Sequence, residues 1–314
     1  MPVDPATPLS LRRARSVRPS RQARREAFWF HVLISPWIIG FLIFMLYPIV
    51  GSAYFSFTRY DVIHPPHWVG LANYAYLFTR DQLFWKSLRV TFTYVAVAVP
   101  LHLAVALALA LLLNVRIIGM RALRTIYYLP TIMPQVATAM LWLFLFAPTY
   151  GVIDWALSAA FGIHGPDWLG SAHWVLPAFI LMSLWGVGGP MVLFLAALQG
   201  VPNELYEAAQ LDGASAWRQF RHVTVPMISP LILFNLIVGL IAASQIFATA
   251  FVMTQGGPDY ASYFYNLALY NNAFVYFKMG LASAQAWILL AIVMMLTLLI
   301  FKFSARWVFY GSER

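Results

Sequence analysis

Six stretches of this chain carry no Asp, Glu, Lys or Arg, and each is long enough to cross a lipid bilayer. They run over 27–58, 90–115, 125–153, 168–203, 222–258 and 279–301. A helix of ~20 apolar residues spans a ~30 Å hydrocarbon core, whereas about a quarter of the residues in a soluble domain carry charge. Here only 10% of 314 residues are charged and 61% are hydrophobic. The expected fold class is therefore an all-α membrane protein with six transmembrane helices. They are placed at about 29–57, 88–113, 122–147, 173–199, 227–253 and 283–307 within one domain, about 27–310. A seventh uncharged window, 260–277, holds Asn266, Asn271, Asn272 and five tyrosines, and is expected to lie at the membrane interface.

Basic residues orient these helices. Fifteen of the twenty Lys and Arg fall in the tail, in 114–124, in the loop after the fourth helix or at the C-terminus. The positive-inside rule puts that side, and both termini, in the cytoplasm. Residues 1–26 are rich in Arg, Ser and Pro and are expected to form a disordered basic tail near anionic lipid headgroups. The net charge of +9 thus follows membrane topology, and no nucleic-acid partner is expected. With no cysteine, the chain has no disulfide frame, thiolate nucleophile or cysteine metal site.

The longest polar interruption in the second half is the cytoplasmic loop 200–226. Asn203 is placed to cap a short helix, with Glu204 and Glu207 near its positive end, where carboxylates are stabilised. Ala208 and Ala209 give that helix a small-residue face. Gly213 supplies a left-handed stop. A second short helix should follow, with Trp217 and Phe220 on one side and Arg218, Arg221 and His222 around the rest, before Pro226 opens the next apolar run. An acidic start disfavours the alternative of a helix lying on an anionic leaflet.

This pattern resembles the cytoplasmic loop of bacterial ATP-binding-cassette (ABC) importer permeases: Glu-Ala-Ala, three residues, Gly, nine residues, Ile, one residue, Leu-Pro. Glu207, Ala208, Ala209, Gly213 and Pro226 fall at that spacing, with Val223 and Val225 in place of the Ile and Leu. Thr254-Gln-Gly256-Gly257-Pro258, Gly70-Leu71-x-Asn73-Tyr74 and the run from Tyr128-Leu-Pro130 to Trp142 resemble the sugar-type, maltose-transporter-like members. The resemblance implies a type I importer permease fold in a bacterial cytoplasmic membrane. It implies a coupling helix docking on an ATPase through Glu207, Ala208 and Ala209, ended by Gly213, with Arg218 as a further contact. The implied partners are two ABC ATPase subunits, a second homologous permease, an external solute-binding protein and membrane lipid. ATP and Mg would be bound by the ATPases; no cofactor and no metal is expected in this chain, which has no Gly-x-x-x-x-Gly-Lys-Ser/Thr loop.

Several mid-membrane features bear on a substrate path. Trp185-Gly186-Val-Gly188-Gly189-Pro190 should interrupt the fourth helix and free backbone carbonyls, which is tolerated only in protein or beside a wet cavity. Trp185 is placed to stack on a sugar ring, or else to pack against small residues. Asn235, Ser244, Gln245 and Thr249 on the fifth helix mark either a hydrophilic path or hydrogen bonding between helices. Pro130 and Pro134 loosen the third helix. His102 is expected to be hydrogen-bonded within the bundle, the 260–277 segment to meet a binding protein, and Gly280, Ala282 and Ala284 to permit close helix packing. An ion-coupled secondary transporter is the alternative, but it needs intramembrane carboxylates, and all eleven acidic residues lie outside the predicted spans. An intramembrane enzyme is disfavoured by the lack of a His-Glu-x-x-His site or an aspartate pair in the spans.

Overall fold

The computed structural model describes residues 21–115 and 117–309. The expected basic tail falls mostly on 1–20, outside the described residues; from Arg21 the chain is already helical. Two compact units divide it, 1–52 and 53–314. In the first, the helix Arg21–Phe41 passes through a π-helical turn, Leu42–Leu46, into Tyr47–Ser56, which carries the chain into the second unit.

Four helices have the length and hydropathy to cross a membrane: Phe28–Ser56, Gln82–Leu112, Ala216–Met253 and Met279–Ser304. Two more stretches qualify as bent pairs. Met120–Ile132 meets Gln135–Leu145 at 102°, and Val175–Gly186 meets Gly188–Gln199 at 47°. The sharper bend sits where the sequence has Pro130 and Pro134, with Pro130 in a 3-10 turn and Pro134 capping the second helix. Each proline removes an amide donor and so breaks the ladder there.

Gln82–Leu112 is the axis of the second unit. Asp81 caps it, its carboxylate accepting from the Phe84 amide at 3.0 Å. Its buried residues, among them Val90, Tyr94, Ala98, Ala106 and Ala110, recur at helical spacing and pack against Gly188–Gln199, Val225–Ser244 and Tyr265–Tyr270. The two bends also meet. A Cβ on Gly188 would lie 2.6 Å from the Tyr127 carbonyl oxygen and from Thr131 Oγ1, so only glycine lets these backbones approach so closely.

Before this axis, Thr58–Arg59 pairs antiparallel with His67–Trp68, Thr58 opposite Trp68. Asn73 of the helix Ala72–Thr79 closes the turn. Its Nδ2 donates to the carbonyls of Ser56 at 2.9 Å and Thr58 at 2.8 Å, and the Tyr74 hydroxyl bonds Ser56 Oγ at 2.9 Å. The Gly-Leu-x-Asn-Tyr stretch is therefore a clamp on the end of the first helix.

Two expectations are corrected. No loop separates residues 216–226 from the fifth predicted helix. Ala216–Gln219, a π-helical turn at Phe220–Thr224 and Val225–Ser244 form one helix, and Pro226, which lacks an amide donor, falls directly after the π-helical turn where the regular ladder is already interrupted. Second, the segment 260–277, which forms no span-length helix, is largely packed inside the bundle rather than laid on its surface. Phe264, Leu267 and Ala268 are buried as apolar packing, and Tyr265 is buried with its polar groups partnered. Thr91 Oγ1 accepts from the Tyr265 amide at 2.8 Å, and the Tyr265 hydroxyl donates to the Gln285 carbonyl at 2.8 Å. Exposure returns over 274–277. Ala282 and Ala284 are buried in helix packing as expected.

Candidate functional site

The helix Asn203–Leu211 is nine residues long. Pro202, not Asn203, occupies the capping position, and Asn203 makes no side-chain cap bond. Glu204 lies in the first turn. The C-terminal end follows the sequence expectation: Gly213 has φ +71°, its amide donates to the Gln210 carbonyl at 3.0 Å, and the Ala214 amide donates to the Ala209 carbonyl at 2.9 Å. That left-handed closure turns the chain into Ala216–Gln219.

This elbow presents an uncovered surface. Glu207, Ala208, Gly213 and Arg218 are exposed, and Ala209 is half-buried. Leu211 is 90% exposed and Trp217 67%, with the Trp217 and Phe220 rings 5.4 Å apart. Exposed large apolar side chains therefore share this elbow with the exposed carboxylates Glu204 and Glu207.

The long helix that starts here reaches a cavity of about 590 Å³. The axis helix contributes Tyr94, Ala98 and His102, the first bent pair Gln135, the second bent pair Ser183 and Pro190, and the long helix Asn235, Gln245 and Thr249. Most of the wall is apolar, with amide, hydroxyl and imidazole groups set into it. Among the described residues no Asp, Glu, Lys or Arg lines it. Such a lining offers hydrogen-bonding groups to an uncharged polar surface and no carboxylate, ammonium or guanidinium to pair with a charged one.

The bend beside the cavity has its freed carbonyl satisfied. His102 Nδ1 is 3.1 Å from the Ser183 oxygen, and since a carbonyl only accepts, Nδ1 carries the proton. The bundle-bonded histidine expected from the sequence thus also faces the cavity. The long helix is interrupted at 245–247, where the Gln245 carbonyl accepts from Asn266 Nδ2 at 3.1 Å.

Of the predicted path residues, Asn235, Gln245 and Thr249 share this cavity. The other three lie outside its lining. Trp185 packs edge-on against Trp142 with ring centres 6.0 Å apart, Gly188 is buried at the meeting of the two bends, and Ser244 is fully buried with its hydroxyl donating to the Leu240 carbonyl at 2.7 Å. Tyr94, Gln135 and Ser183 were not singled out by the sequence. Gln135 alone carried a signal, a polar residue directly after a helix-breaking proline.

Outside the predicted spans, Asp154 at the start of the helix Val152–Phe161 is held below the usual carboxylate range, first by the Gly165 amide and then by His164. Asp61 is lowered in the same way by the amide and ring of His64.

Residues 102–310 match the family described as binding-protein-dependent transport system inner membrane component. The chain is 41% identical over 304 residues, 96% of its own length and 98% of the relative's, to a probable ABC transporter permease protein, YesP, of Bacillus subtilis (strain 168). It is 32% identical to the trehalose/maltose transport system permease protein MalF of Thermococcus litoralis, covering 83% of this chain and 87% of the relative. Its fold matches a chain in the crystal structure of a bacterial ABC transporter involved in the import of the acidic polysaccharide alginate, with a TM-score of 0.80, 26% identity, and coverage of 91% and 97% of the two chains. The exposed elbow, the bent helices and these likenesses lead to one assignment: the chain belongs to the binding-protein-dependent transport system inner membrane components, the permeases of sugar-type ABC importers.

Proposed function

We propose that the chain passes a carbohydrate or related solute across the bacterial cytoplasmic membrane, driven by ATPase subunits that grip the helix Asn203–Leu211. Counting each bent pair as one crossing gives six, and the placement of Lys and Arg sets both termini in the cytoplasm. Two ATPases, binding ATP and Mg, a second related permease and an external solute-binding protein complete the machine. Closure of the ATPases moves the exposed elbow, and the helices rock between inward- and outward-facing arrangements.

One observation carries the reading. The Glu207-Ala208-Ala209 helix is uncovered at one end of a long helix whose other end lines the cavity. A mostly apolar wall bearing amides and hydroxyls suits a sugar, whose ring presents C–H faces and hydroxyl edges. The names of the trehalose/maltose relative and the alginate transporter support a saccharide cargo. Family membership and the uncharged cavity lining favour this reading over ion-coupled transport.

The test is co-purification with the ATPase subunits. Glu207→Lys or Gly213→Trp should weaken ATPase retention about 30-fold or more, the scale of losing one interface hot spot, while membrane insertion is kept. Wild-type retention in both variants would refute the docking assignment.

A further inference from the structure

The helix Asn203–Leu211 is joined to the chain by turns at both ends, and its apolar residues Leu205, Ala208 and Leu211 are exposed. Tyr206 is the side chain that ties it down. With Val223 and Met227 it packs against the buried core cluster that includes Leu198, Val201 and Ile228, and its hydroxyl lies 3.0 Å from Thr224 Oγ1. Thr224 is buried, at 5% exposure.

Thr224 also sits at an unusual point of the long helix. Phe220–Thr224 is π-helical, the Val225 amide reaching back to the Phe220 carbonyl. Such turns recur at functional sites because the helix is locally looser there. Beyond it the helix runs without a break to Ser244, and Asn235, eleven residues on and about 16 Å along the axis, lines the cavity. A hydroxyl pair between two packed elements resists sliding, because separating them strands a buried polar group.

We infer that the Tyr206–Thr224 contact is the strut through which displacement of the short helix becomes displacement of the long helix and its cavity-lining end. Tyr206 is a positioning residue, and the inference rests on the coupling role proposed for Glu207. Glu207 faces the partner; Tyr206, one residue away, faces the bundle and passes the movement on.

The chain's lack of cysteine makes the test clean. Spin labels go on cysteines introduced at Phe234 of the long helix and Leu290 of Met279–Ser304, both exposed. The label-to-label distance is read in the complete complex with its partner permease and ATPases, nucleotide-free and trapped with ATP and vanadate. The unsubstituted background should shift between the two states. Tyr206→Phe and Thr224→Val should lower the population that shifts about two- to tenfold, the scale of one hydrogen bond, with the ATPase still bound. Thr224→Ser, which restores the hydroxyl, should recover the shift. A full nucleotide-dependent shift in both Tyr206→Phe and Thr224→Val overturns the strut. If Tyr206→Phe fails to assemble, the Thr224→Val and Thr224→Ser pair decides, since the two differ at the hydroxyl's own end of the contact. Glu207→Lys in the same labelled background separates the two readings: if it keeps both the ATPase and the shift, docking at Glu207 has failed whatever Tyr206 does.

Discussion

Gly188 shows how one residue fixes the relation between two bends. With a Cβ it would press on the Tyr127 carbonyl oxygen and the Tyr128 Cα, 2.6 and 2.7 Å away, and these are backbone atoms that cannot swing aside. Gly188→Ala should therefore cost about 1–3 kcal/mol, seen as a lower Tm in detergent. Gly186, two residues earlier, has open space where its Cβ would go, and Gly186→Ala should change stability by no more than about 0.5 kcal/mol, leaving Tm nearly unmoved. Equal effects would show that the bends do not depend on this contact. The sequence marked the run Trp185 to Pro190 as a broken helix but not which glycine was needed for a close approach, because that depends on a neighbour more than fifty residues away. The same limit hid Asn73, whose two carbonyl partners precede it by fifteen and seventeen residues.

At the level of elements, the segment from Val152 to Gly165 is held by one carboxylate. Asp154 accepts from the Gly165 amide and binds His164 Nδ1 at 3.3 Å, closing the chain after the left-handed Gly162 back onto the helix Val152–Phe161. Its pKa is lowered from the ordinary 3.8, so this closure is favoured at every pH above that value. The contribution is lost as pH falls through the lowered pKa. Normalised to pepsin's rate on an unstructured peptide at each pH, nicking of the 162–165 stretch should rise as pH falls below the ordinary carboxylate value, and Asp154→Asn should flatten that rise; an unchanged rise in the Asn variant would place the closure elsewhere. How much of the elements was legible follows from what fixes each. Uncharged windows and paired prolines are local, and they located the four long helices and the bends. The motif around Glu207 to Gly213 predicted a short helix with a left-handed stop, and both are present. The union of 216–226 with the next helix was not legible, since Pro226 lacks an amide donor and such a residue ordinarily opens a helix rather than lying within one. Nor was the burial of 260–277: its tyrosines and asparagines look interfacial until Thr91 and the Gln285 carbonyl are seen to satisfy Tyr265. Asn235 and Gln245 were found because an amide stands out on an apolar helix; Gln135, hidden beside Pro134 in the bend, was missed, as were Tyr94 and Ser183, whose residue types are ordinary in such helices.

For the whole molecule, the proposed topology depends on where the two ends of the long helix emerge. Ala216–Met253 has 38 residues, about 57 Å if straight, against a bilayer of about 40–45 Å including its headgroups. Tilt absorbs part of the excess, yet one such helix cannot keep both ends on the same side. Just before its first end lies Glu207, and just after its second lies Asp259, both exposed. The second end is pinned: Lys86 Nζ donates to the Asp259 carbonyl and lies 5.8 Å from the Tyr260 ring centre, so the loop is tied to the start of the axis helix rather than left to fold back. The proposed topology puts fifteen of the twenty Lys and Arg on the Glu207 side, so a membrane-impermeant maleimide applied to intact cells should label a cysteine introduced at 259 and not one at 207. The cysteine at 207 should react only after the membrane is permeabilised. Labelling of both from one side would require the long helix to enter and leave the same leaflet, which its uninterrupted run from Val225 to Ser244 does not allow, and the six-crossing reading would fall with it.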